Sequence, residues 1–118
     1  MVKRLLDGRT FMPMAQSGQT VLHTTSTVSM ASLTLHLLVS GQGGTFNVAD
    51  PVALTTARIA QTLAALMEKP LQIIEAPHAM NPIGHKPWSV DNPVRLSHSA
   101  ALATGRQGPP AYADALPP

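Results

Sequence analysis

At 118 residues the chain has room for one modest hydrophobic core and not for two large domains. Eight Lys and Arg against six Asp and Glu give a net charge of +2, and the cations are scattered, with Lys3-Arg4 the only adjacent pair, which argues against a nucleic-acid partner. The absence of cysteine excludes disulfides, thiolate metal sites and a thiol nucleophile, and fits a cytoplasmic address.

Charged residues are only 12% of the chain, against a usual ~25%. The surface must therefore be carried by Ser, Thr, Gln, His and Ala, and it is sparingly soluble. In chain order, residues 1–8 read as the tail of a helix: Met1, Val2, Leu5 and Leu6 fall near one face, and Gly8 is a natural left-handed stop. A chain opening in a last helical turn reads as truncated. The first residues are no signal peptide, because the apolar run breaks at Asp7. Thr10 to Met14 predicts a short strand that Pro13 confines to an edge, followed by a turn at Ser17-Gly18. The β-branched run Thr20 to Thr25 predicts a second strand.

Ser29 reads as the N-cap of a helix reaching about Val39, closed by Ser40-Gly41. Ser29, Ser32, His36 and Ser40 fall on one side, so His36 is expected to face water or a polar partner. Met30, Leu33 and Leu37 fall on another, and Leu35 and Leu38 widen the apolar arc into a helix packed on more than one side. The apolar segment from Val28 to Val39 is far short of the ~20 residues that cross a bilayer, so no membrane partner is expected.

The central stretch is the most informative. Phe46 and Val48 alternate with Thr45 and Asn47, the pattern of a half-buried strand, which Asp50-Pro51 ends. From a Thr55 N-cap, Ile59, Leu63, Leu66 and Met67 recur on one helical stripe that Ala60 and Ala64 broaden, and Pro70 stops the helix. Lys69 to Ile74 then predicts another strand. Residues 77–95 hold Pro77, Pro82, Pro87 and Pro93 with Gly84 and Trp88, a long irregular loop. Ser97 to Thr104 predicts a short helix ended by Gly105, and the tail to Pro118 is extended, anchored by Tyr112 and Leu116. The organisation expected is an α/β core over 1–76, the Pro-rich loop over 77–95, and a helix with its tail over 96–118 of the same domain.

Taken together these segments resemble the C-terminal portion of an extended short-chain dehydrogenase/reductase, the NAD-dependent epimerase/dehydratase family. Arg4-Leu5-Leu6-Asp7-Gly8-Arg9 resembles that family's helix end "RLLDGR". Thr27 to Ala31 stands where "VDDxA" is usual, Phe46 to Asp50 resembles "YNVGD", and Leu54 to Ala60 resembles "LSxxEIA". Ser99-Ala100 through Thr104-Gly105, then Pro109, Tyr112 and Ala115-Leu116, resembles the closing "SKAxxxLGxxP…SYxEAL". The match spans nearly the whole chain, each motif being weak alone and the order giving it weight.

The resemblance implies a fragment with short strands and two or three helices that shapes a substrate pocket, with NAD or NADP bound by a Rossmann domain elsewhere. The cofactor and catalytic motifs GxxGxxG and YxxxK are missing: Phe46 and Asn47 stand where glycines after Gly43-Gly44 would fall, and four residues after the single tyrosine, Tyr112, comes Leu116. No catalytic or cofactor-binding residue is therefore expected within the chain. Leu22 stands near the place where relatives acting on nucleotide sugars carry a phosphate-binding Arg, which disfavours such a substrate. Ser29, Arg58 and Leu96 replace usual carboxylates.

The five histidines lack the helical i, i+4 spacing around a Glu that a zinc hydrolase uses, so no metal ligand is assigned. His85 and Trp88, in the irregular loop, are substrate-binding candidates, although Trp88 serves equally as an anchor over the core. Arg95 is a third, pairing either with a substrate anion or with Asp91. The expected partners are a small-molecule substrate and a cofactor-binding domain, or a second copy, docked on an exposed apolar face. The alternatives from other classes are a stand-alone protein-interaction module and a remnant without activity.

Overall fold

Two parallel strands and one helix carry the first of two units. In the computed structural model, which describes residues 1–76, 92–93 and 95–116, this unit comprises Met1–Leu22 and Leu54–Pro93, and the second comprises His23–Ala53 and Val94–Pro118. The described residues make a small α/β fold of four α-helices and short strands.

The first unit begins with α1 (Val2–Leu6). Gly8 follows at φ 71°, the left-handed stop expected of it. Of the apolar residues on this turn Leu5 is buried and Met1 packs half-buried against the core, whereas Leu6 and Val2 are exposed, so the expected four-residue face narrows to two. Strand β1 (Phe11–Met14) pairs in parallel with β4 (Gln72–Glu75), Pro13 facing Ile74. A proline is accommodated because, among the described residues, the sheet has only these two strands and its missing donor lies at an edge.

A 3₁₀ turn over Ala15–Gly18 follows, with Gln16, Ser17 and Gly18 all at positive φ. Gly18 is required twice: φ is 72°, and a Cβ there would stand 2.7 Å from Met14 Sδ and 2.9 Å from Ala57 Cβ. Ser17 Oγ donates to the Glu75 carboxylate and ties the turn to β4.

Strand β2 (Val21–Leu22) pairs antiparallel with β3 (Leu54–Thr55). Helix α3 (Thr56–Leu66) then starts where the sequence places it, with Thr55 Oγ1 accepting from the Arg58 N–H at 3.1 Å. Its inner face is mostly small: Ala57, Ala60 and Ala64 are buried with Ile59, while Leu66 is exposed. Ala60 closes against Met12 and Met14, with Leu71 and Ile73 at the margin, which is the unit's core. Small residues on the helix let it lie close to the sheet, and flexible methionines fill the gap.

The second unit is built on α2 (Thr27–Ser40), closed by Gly41 in the left-handed region. Its cap is Ser26 and not Ser29: Ser26 has extended backbone and its Oγ accepts the Ser29 N–H at 3.0 Å. Ser29 lies inside the first turn and is buried with Leu33. The polar-side assignment is corrected accordingly, since the buried stripe runs Ser29, Leu33 and, half-buried, His36 and Leu37. Leu35 and Leu38, expected to pack, are exposed.

Residues 45–48 form no strand, contrary to expectation. The alternation is there, with Phe46 and Val48 half-buried and Thr45 and Asn47 exposed, but no described strand pairs with it, and Asn47 Nδ2 donates instead to the loop carbonyl of Ser97. The strand expected over Thr20 to Thr25 shortens to β2 for a similar reason, because Thr24 O accepts from the Asp50 N–H at 2.9 Å. Near the C-terminus, α4 (Ser99–Leu102) is a single turn, its Ala101 buried, and Gly105 is left-handed as expected.

Candidate functional site

The cleft of the second unit is organised by His23. Its Nδ1 accepts the Leu96 N–H at 2.9 Å, so the ring proton is on Nε2, which lies 2.9 Å from Asp50 O and donates to it. Both nitrogens are engaged and the ring is held neutral in one tautomer. His23 therefore bridges the 50–53 segment to the 95–98 segment and has no free nitrogen for a ligand.

Asp50 is the anchor on one side. It is only 2% exposed; Thr24 Oγ1 donates to Oδ2, and Oδ1 is buried with no partner among the described residues. A buried carboxylate short of donors is costly unless neighbours compensate. One neighbour registers its charge: the Tyr112 phenol is raised above its ordinary value, first by burial and then by the negative charge of Asp50.

Segment 95–99 makes the other side. Asn47 Nδ2 donates to Ser97 O at 3.2 Å, and the Ser97 and Ser99 hydroxyls bond each other at 3.0 Å. Beyond α4, Thr104 O collects the His36 Nε2 donor at 3.0 Å and Gln42 Nε2 at 3.3 Å, while Arg106 Nη2 donates to Ser29 O at 2.9 Å. His36, expected to face water or a polar partner, is a half-buried tie between α2 and the residue that follows α4. Arg106 extends the same fastening, although its Nε is buried without a partner among the described residues.

Between these sides lies a cleft of about 430 Å³. Its polar lining is Arg95, Ser97, His98 and Ser99 with the engaged ring of His23, and Val52, Leu96 and Leu102 are among its apolar walls. Among the described lining residues Arg95 carries the only permanent charge, and none is an acid. The arrangement suits recognition of a small molecule with an anionic end.

Of the three candidates named from sequence, Arg95 is placed in this cleft, while His85 and Trp88 lie outside the described residues. The sequence reading missed His23, His98 and Ser97. None sits on a periodic stripe, and the one signal near them was Asp50-Pro51, whose buried aspartate needs partners from elsewhere in the chain. Among the described residues, no group of three His, Asp or Glu is placed to hold a metal ion. No described helix is long and apolar enough to cross a membrane. No protein-family model, curated protein or solved structure matches the chain.

Proposed function

We propose that the chain is the substrate-side portion of an NAD(P)-dependent oxidoreductase or epimerase/dehydratase of the extended short-chain type, acting with a cofactor-binding domain supplied by another chain. The observation that supports this reading is the fastening of separate resembling segments to one another beside one cleft. The segment Phe46 to Asp50 and the segment leading into Ser99 are fastened together by Asn47 on Ser97 and by His23 on Leu96 and Asp50. A pocket wall needs that kind of fixed geometry between remote parts of a chain.

Helix α2 supports the second half of the proposal. Val28, Leu35, Leu38 and Val39 are 64%, 64%, 75% and 82% exposed, and they recur at i, i+7, i+10 and i+11, one side of the helix. An uncharged apolar stripe of this kind marks a docking face. In this reading the cofactor-binding domain covers it. The chain brings no GxxGxxG turn and no YxxxK pair, so hydride and proton transfer belong to that partner, and the residues here shape and orient the substrate.

The engaged state of His23 favours a substrate other than a nucleotide sugar. At the position where relatives place a phosphate-binding Arg, this chain has Leu22 followed by a histidine without a spare donor. The same exposed α2 stripe fits a stand-alone protein-interaction module, and one experiment separates the two. NAD+ or NADPH titrated calorimetrically into the pure chain gives no heat. A separately expressed cofactor domain carrying GxxGxxG and YxxxK forms a complex in sedimentation, and that complex is lost in Leu35→Asp/Leu38→Asp. Tight nucleotide binding by the chain alone, or indifference to every such domain, overturns the proposal.

A further inference from the structure

We propose that the cleft of the second unit binds an organic monoanion: a carboxylate joined to a short apolar body. The inference deepens the substrate-side reading and rests on it for the word substrate, whereas the binding itself rests on the cleft alone.

Four features converge. Arg95 lies on the lining, and the one ion pair among the described residues is Lys3 with Asp7, so no described carboxylate competes for its guanidinium. A planar guanidinium matches the two oxygens of a carboxylate and holds them with paired N–H donors. Ser97 and Ser99 supply the next donor. Two hydroxyls joined by one mutual bond use one of their two protons, so one O–H stays available to an acceptor. His98 makes no side-chain hydrogen bond among the described residues, its Nδ1 being buried without a partner, so the ring is not fixed as His23 is and can turn a nitrogen toward a bound oxygen. The remainder of the wall, including Val52, Leu96 and Leu102, is apolar and takes the hydrocarbon end.

The same inventory limits the charge. With both nitrogens of His23 occupied, Arg95 is the single permanent cation among the described lining residues, so a phosphomonoester or diphosphate brings a second negative charge that finds no partner among them. A carboxylate brings one.

The test uses the full chain, with pentanoate as the anion, pentanamide as its neutral counterpart and inorganic phosphate as the dianion, followed by amide chemical shifts. Pentanoate should shift the Leu96 to Ser99 amides saturably, with the amide at least about tenfold weaker and phosphate weaker than pentanoate. Arg95→Gln, at an exposed position, should leave the spectrum folded and erase the preference for pentanoate over pentanamide; Arg95→Lys should retain part of it. Equal binding of acid and amide, tighter binding of phosphate, or no saturable shift at these amides overturns the inference. A positive result with failure of the cofactor-domain experiment leaves the carboxylate site standing and removes only its place in a dehydrogenase.

Discussion

The two units hold themselves together by different means. In the first, strands pair in register, a capped helix lays alanines on a methionine core, and the backbone groups of β1 and β4 serve each other. In the second, apart from α2, most of the chain is loop, and its fixed points are side chains bonded to backbone: His23 to Asp50 and Leu96, Asn47 to Ser97, His36 and Gln42 to Thr104, Arg106 to Ser29. Packing tolerates conservative exchange of one apolar residue for another. A side chain with two directed bonds tolerates very little. The second arrangement is the one suited to a binding cleft, because directed bonds set where each wall stands.

Substitutions in the first unit should therefore cost most in stability. Gly18→Ala is the sharpest case. It places a Cβ in left-handed backbone, which costs roughly 1–2 kcal/mol, and drives it into Met14 and Ala57, an overpacking of roughly 1–3 kcal/mol. Urea denaturation should show a loss of about 2–5 kcal/mol; a loss under about 0.5 kcal/mol would mean that the turn is not held as described. Met14→Ala, which hollows the core without strain, should cost about 2–5 kcal/mol, and Met14→Leu under about 1.5 kcal/mol. The contrast between the two Met14 variants is itself the signature of packing.

The second unit should respond to the opposite exchange. His23→Leu keeps bulk and removes both bonds, so it should cost about 1–3 kcal/mol. It should also raise amide hydrogen exchange at Leu96, whose N–H loses its acceptor. If the Leu96 amide is equally protected in His23→Leu and in the parent, then the ring is filler and the cleft is not set by directed bonds.

How much of this was legible follows the same division. The first unit's elements came from signals local to the chain: Gly8 and Pro70 as stops, Thr55 as a cap, the Ile59-Leu63 stripe, and Pro13 as the mark of an edge. Residues 45–48 carried a true alternation and still formed no strand, because the pattern reports which side chains turn inward and is silent on whether a neighbouring strand exists. Ser26 outranked Ser29 as a cap for a comparable reason. Both are serines ahead of an apolar run, and only the backbone turn decides between them. The cleft was the least legible part. Arg95 drew attention as a cation in a loop, but His23 gains its role from Asp50 and Leu96, residues 27 and 73 positions away, and no local pattern encodes that.

The smallest effect tests the electrostatic side of the second unit. Tyr112 is the single tyrosine, so an ultraviolet titration reads it without ambiguity. Its phenol is raised by burial and then by Asp50, so it should ionise above the value of about 10 found in unfolded chains. The folded state then holds the proton more tightly than the unfolded state does. This contribution to stability is complete below about pH 10 and declines as the pH climbs through the folded midpoint. Asp50→Asn should bring the midpoint part of the way down and leave the portion due to burial, whereas Tyr112→Phe should remove the alkaline dependence altogether. A midpoint at or below the unfolded value would detach the tail residue from the buried aspartate. The second unit would then rest on its directed hydrogen bonds alone.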